Sequence, residues 1–251
     1  IDSIPRESVQ VWVERATHLL YAALPEEGKV TFPRWPEWER LLPHVLAWAA
    51  HRQQAQLVSS EAAVLLRLTG WYLKERMQYV EAEPLLQQAL ALYEQQHGKE
   101  HVDTAVALGT LAWLYKAQGK YAEARQLYQG TLSILEQQLG PGHSETATGL
   151  NNLASLYDVQ GKYAEAEPLY QRALAIREQQ LGPTHHSTAQ SLNNLAVLYR
   201  VQGKYAEAEP LYHRALATCE QVLGPDHPDT KAIQQNYTFF LQQYSPGEEK
   251  K

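Results

Sequence analysis

The chain repeats itself every 42 residues, and no other feature limits its fold so sharply. The string Gly-Lys-Tyr-Ala-Glu-Ala begins at Gly119, Gly161 and Gly203, which sets Tyr121, Tyr163 and Tyr205 42 apart. A looser copy, Met77-Gln78-Tyr79-Val80-Glu81-Ala82, lies one period earlier. His101, His143, His185 and His227 form a second ladder in the same register. A unit that recurs in this way is one supersecondary element that buries its apolar face only by stacking on its own copies.

Each unit reads as two helices. In the stretch 188–201, Leu192, Leu195 and Tyr199 recur at three- and four-residue spacing and form one apolar stripe. Gly203 then ends the helix, because glycine tolerates a positive φ. The next helix starts near Tyr205 and carries Ala208, Leu211, Tyr212, Ala215 and Leu216 on one face until Gly224-Pro225 stops it. Over the chain this predicts first helices at 61–76, 103–117, 145–160 and 187–202, and second helices at 79–96, 121–138, 163–180 and 205–222. Small residues recur where paired helices approach: Gly70, Ala112, Ala154 and Ala196 in the first helices, Ala82, Ala124, Ala166 and Ala208 in the second. Pro84, Pro168 and Pro210 are read as prolines near a helix start, where a missing N–H matters least.

The flanks differ. Residues 229–243 repeat only a first helix and are expected to cap the stack, with a disordered polar tail at 245–251. Residues 1–58 lie outside the register. A helix at 6–24, a turn at Pro25-Glu26-Glu27-Gly28-Lys29 and a helix at 36–54 make an N-terminal pair expected to cover the first of four units, 59–228. The first residue is Ile1 and the lone methionine is Met77, so the sequence reads as a piece of a longer protein.

Composition narrows the function classes. A net charge of -6 argues against a general nucleic-acid surface, which needs a basic footprint. No apolar run approaches a membrane span, and no signal peptide is visible. One cysteine, Cys219, allows no internal disulfide and fits a cytoplasmic protein.

The units resemble tetratricopeptide repeats, specifically the 42-residue kind of kinesin light chains. The resemblance rests on Leu-Asn-Asn-Leu-Ala-x-Leu-Tyr at 150–157 and 192–199, and on Ala-Glu-Pro-Leu-Tyr-x-Arg-Ala-Leu-Ala at 166–175 and 208–217. It implies an all-α, right-handed superhelix of antiparallel helix pairs whose first helices line a concave groove. Trp35-Pro36 followed by Leu41-Leu42-Pro43-His44 resembles the segment that joins the nucleotide-binding part of bacterial STAND-type (NB-ARC-like) regulators to their C-terminal repeats. That resemblance implies a signal-transduction sensor module that captures a protein or peptide, with the NTPase part of its own chain as a further partner. The alternative is a kinesin-light-chain-like cargo adaptor or a general interaction scaffold.

Catalytic chemistry has no foothold in the pattern. Gly119-Lys120, Gly161-Lys162 and Gly203-Lys204 precede Tyr and lack the upstream glycine of a phosphate loop. Repeated carboxylates such as Glu165 and Glu167 read as a solvated helix face. The four-histidine ladder reads as turn caps, since equivalent positions in stacked helices lie about 10 Å apart, too far to share an ion. The chain is therefore expected to be no enzyme and to need no cofactor or metal. By the resemblance, the groove holds Asn152, Asn194 and Asn236, a neighbouring row of Arg67, Asn151 and Asn193, and the aromatic pair Trp71 and Trp113. Lys74, Lys116 and Arg200 add positive charge there. Asparagine offers both a donor and an acceptor, so it can pair with an extended peptide backbone whatever its side chains.

Overall fold

A computed structural model describes residues 6–24 and 35–244. The turn expected at 25–29 and the tail at 245–251 lie outside the described residues. Within the described residues the chain is all-helical: α1 (Arg6–Ala22), α2 (Trp35–Ala55), α3 (Ser60–Glu75), α4 (Tyr79–His97), α5 (Val102–Ala117), α6 (Tyr121–Gln138), α7 (Ser144–Val159), α8 (Tyr163–Leu181), α9 (His186–Val201), α10 (Tyr205–Leu223) and α11 (Pro228–Gln243). The chain divides into two compact units, 1–134 and 135–251, with the division inside α6.

Helix ends follow local chemistry. His101, His143, His185 and His227 are the N-caps of α5, α7, α9 and α11. Each imidazole Nδ1 accepts the backbone N–H two residues on, at 3.1–3.2 Å. The ladder therefore caps turns, as its spacing predicts. First helices end in a left-handed residue, at φ 75°, 72° and 76° for Gly119, Gly161 and Gly203. Met77 holds the equivalent place at φ 59°, a conformation that costs an L-residue with a Cβ about 1–2 kcal/mol.

The small residues sit where helices touch. Ala82, Ala112, Ala124, Ala154, Ala166, Ala196 and Ala208 are fully buried. A Cβ on Gly70 would lie 2.5 Å from Leu86 Cδ2, so in this unit the buried Leu86 side chain takes the space that a side chain there would need. The prolines lie deeper than the sequence suggests. Pro84, Pro168 and Pro210 are each the sixth residue of their helix, beyond the first turn. The carbonyl four residues before Pro84 belongs to Val80, an 82 % exposed residue, so the missing donor falls on the solvent side of the helix, where its loss costs least.

In unit 1, α1 and α2 pack on each other and on α3. Trp38 is fully buried and stacks on Tyr72, with ring centroids 5.6 Å apart. Trp48 Nε1 donates to Thr17 Oγ1 at 2.8 Å. Arg52, at the end of α2, donates to Leu57 O and to Gln88 Oε1 on α4. In unit 2, α8 packs between α7 and α9, and α10 between α9 and α11. The last pair closes over an aromatic cluster of Tyr212, Tyr237 and Phe240.

Candidate ligand groove

A polar cavity in unit 2 has a volume of about 360 Å³. First helices α7, α9 and α11 wall it with Thr148, Asn151, Asn152, Gln190, Asn193, Asn194, Asp229, Ala232 and Ile233, and Arg177 enters from second helix α8. Four of the asparagines singled out from the sequence thus line one cavity. Asn152 and Asn194 are half-buried.

Arg177 is the element that sequence reasoning missed. It is 7 % exposed. One terminal nitrogen, Nη1, donates to Ser187 O at 2.8 Å and to Ser191 Oγ at 3.0 Å; the other, Nη2, donates to Thr148 Oγ1 at 3.1 Å. All three acceptors are neutral, and among the described residues no carboxylate comes within ion-pair range. Burial lowers the guanidinium pKa, and the charge of Glu145 opposes that shift. Taking a cation out of water without a paired anion costs several kcal/mol.

Packing alone does not call for that cation. At the 42-residue period the positions equivalent to Arg177 are Tyr93, Leu135 and Cys219, all buried without charge. Ser191 stands where Leu65, Ala107, Gly149 and Ile233 stand elsewhere. The signal was present in the sequence as a departure from the repeat, not as a recurrence.

Asn151 is 6 % exposed and ties α7 to α9. Its Nδ2 donates to Ala147 O at 3.1 Å and to Ser191 Oγ at 2.9 Å, while its Oδ1 is buried with no protein partner. Asn236 Nδ2 donates to Asn193 Oδ1 at 3.1 Å, outside the cavity lining. Arg200 lies over the Phe239 ring at 5.0 Å and reaches Gln243.

The predicted residues of unit 1 make a different arrangement. Lys74 Nζ sits 3.5 Å from the Trp113 ring centroid and 5.2 Å from that of Trp71. Its ammonium pairs with Glu75 at 2.8 Å, and the same carboxylate accepts Trp71 Nε1 at 2.9 Å. Burial lowers the Lys74 pKa, and Glu75 opposes it. Arg67 Nε approaches Tyr93 Oη at 3.5 Å, and Lys116 is half-buried.

The sequence profile of the tetratricopeptide repeat matches at residues 60–137, 115–179 and 145–203, and a second profile of the same repeat matches at 188–229. The chain belongs to the tetratricopeptide repeat family. Solved structures agree on the fold. A Podosopora anserina protein described as a putative kinesin light chain with nearly identical TPR-like repeats is 26% identical, covering 73% of this chain and 88% of that one, with a TM-score of 0.60. A substituted form of that same protein gives the same values. BtubC (BKLC) from P. vanneervenii is 20% identical, covering 96% of this chain and 84% of that one, with a TM-score of 0.62. No curated protein sequence gives a significant match. As a tetratricopeptide-repeat chain, this molecule has the fold of a general protein-interaction scaffold. None of its described helices is long and apolar enough to cross a membrane.

Proposed function

We propose that the chain binds a partner protein through an extended peptide segment laid across α7, α9 and α11, with one acidic side chain over Arg177. The observation that carries this reading is the buried guanidinium of Arg177, which meets only neutral acceptors beside a cavity lined by Asn152 and Asn194. A ligand carboxylate supplies the counter-charge that the fold withholds. The asparagine amides pair with the peptide backbone, which makes binding tolerant of sequence on either side. Asp229 places one negative group in the same lining, so a basic residue near the acidic one suits the groove.

A peptide-display selection on the intact chain tests the reading. Selected peptides should share an acidic residue. Their affinity should fall by about 30-fold or more in Arg177→Leu, and by about fivefold to hundredfold in Asn152→Ala with Asn194→Ala. Peptides that bind both variants as tightly as the parent chain would place recognition elsewhere.

The finer reading, a sensor module joined to a STAND-type NTPase, rests on the resemblance at Trp35-Pro36 and 41–44 alone. The kinesin-light-chain-like repeat structures support the general scaffold, or a cargo adaptor, over it.

A further inference from the structure

The first repeat carries a substitution that the groove does not use. At the end of the second helices the residue is leucine in three units, Leu139, Leu181 and Leu223, but histidine in the first, His97. The three leucines are half-buried, whereas His97 is exposed and stacks on the capping imidazole of His101, with ring centroids 4.6 Å apart. Asp103 has acidic equivalents in Glu145 and Asp229, but those caps pair with Leu139 and Leu223 in place of a second histidine, and the cap at His185 has Ser187 in place of the acid. Among the described residues, only His97, His101 and Asp103 bring two imidazoles and a carboxylate within ligand distance of one another.

The spacing fits a metal ion. Asp103 Oδ2 lies 3.8 Å from His97 Nε2 and 3.5 Å from His101 Nδ1. One ligand atom from each of the three residues falls within 4.8 Å of the others. Two ligands held about 2.1 Å from a tetrahedral ion are about 3.4 Å apart, so a small contraction completes the set. We propose that His97, His101 and Asp103 bind a divalent transition-metal ion, zinc by preference, that ties the end of α4 to the start of α5. Two imidazoles and one carboxylate suit zinc, with an open fourth position for water.

One competing interaction must yield. His101 Nδ1 already accepts the Asp103 backbone N–H at 3.1 Å, and an ion uses the same lone pair. The capping tautomer keeps its proton on Nε2, which is the form that ligates through Nδ1, so binding exchanges one partner without moving a ring proton. The lost cap weakens binding by about tenfold. The positive field at the start of α5 disfavours the ion, while the carbonyl end of α4 favours it, and the two offset each other. The four histidines at the 42-residue spacing still act separately as caps. The new site arises because His97 adds a second imidazole inside a single turn.

Isothermal titration of the intact, untagged chain with zinc chloride tests the site. One ion per chain is expected, with a Kd of about 1–10 µM for an open three-ligand site. His97→Leu restores the residue of the other three units, so it should fold, and it should weaken binding by about tenfold or more. His143→Asn, at a cap with Leu139 in place of the second histidine, should leave zinc affinity unchanged. Cobalt should give tetrahedral absorption bands in the parent chain that are lost in His97→Leu. Failure to saturate below about 100 µM, or zinc binding that survives in His97→Leu, would overturn the assignment.

Discussion

Three long cations are buried to the same degree, Arg52 and Lys74 in unit 1 and Arg177 in unit 2, each 7 % exposed. Arg52 bridges α2 to α4 through neutral acceptors, with its terminal nitrogens spent on Leu57 and Gln88, whereas Lys74 and Arg177 have opposite surroundings. Lys74 has a carboxylate at 2.8 Å and an indole face at 3.5 Å, so its charge is neutralised inside the fold. Arg177 has three neutral oxygens, an open cavity beside it and, among the described residues, no carboxylate within ion-pair range. The same helix-pair scaffold thus carries a closed, aromatic face in one unit and an open, polar one in the other. A buried cation that is already neutralised locks neighbouring helices together. One that has no ion-pair partner and also faces a polar cavity, as Arg177 does, is the group that the proposed peptide carboxylate would neutralise.

That contrast rests on a shared scaffold, and the largest effect should come from breaking it. Ala196→Trp overpacks α9 against α10 where the side chain has no free surface, and should cost about 3 kcal/mol or more in a denaturant midpoint measurement. Parental stability would refute the close-packed helix pair itself. A smaller effect separates the two cations. Lys74→Ala should destabilise by about 2 kcal/mol, because it empties the slot between Trp71 and Trp113, and tryptophan fluorescence should change with it. If Lys74→Ala is neutral, unit 1 has no closed face of the kind described. Met77→Gly should stabilise by about 1 kcal/mol by relieving a positive φ that the other units give to glycine. Thermal unfolding of Met77→Gly beside Gly161→Met, which should destabilise, checks the sign.

The smallest effect should be alike in both units. Glu83 accepts Gln118 and Lys120, and Glu167 accepts Gln202 and Lys204. For Glu83 burial raises the pKa, but the hydrogen bonds from Gln118 and Lys120 outweigh it; for Glu167 the Lys204 bond leads, and both end below the ordinary value of 4.5. A carboxylate depressed in the folded state stabilises above pH 4.5 and loses that contribution as pH falls through its folded value. Glu83→Gln and Glu167→Gln should each cost about 0.5 kcal/mol at pH 7 and less at about pH 3. A pH-independent loss would remove the charge from the account.

How much of this was legible in the sequence depends on how local its cause is. In the repeats helix bounds come within a residue of the expected ones, α7 at Ser144–Val159 against 145–160 for instance, because the histidine caps and turn glycines act on adjacent backbone; α1, without such signals, ends at Ala22 against an expected 24. Asn151, Asn152, Asn193 and Asn194 share a cavity because the period keeps them on one face. Arg177 escapes a search for what recurs, and it is visible only as an exception to Tyr93, Leu135 and Cys219. The enclosure of Lys74 depends on how two indoles from different helices close over an ammonium, which spacing does not specify. The helix starts at Tyr79 as expected, so Pro84 is its sixth residue, and what differs from expectation is that this position lies beyond the first turn whose N–H groups are free.

The central claim is that Arg177 is kept for a ligand although it lowers stability, and one variant tests both halves. Arg177→Leu should be measured for its denaturant midpoint and for its affinity toward a peptide selected on the parent chain. The account predicts a midpoint raised by about 1 kcal/mol, since leucine already fills the equivalent buried position at Leu135, together with an affinity loss of about 30-fold. A variant destabilised by several kcal/mol that still binds the peptide with parental affinity would contradict it, and would make Arg177 a structural strut.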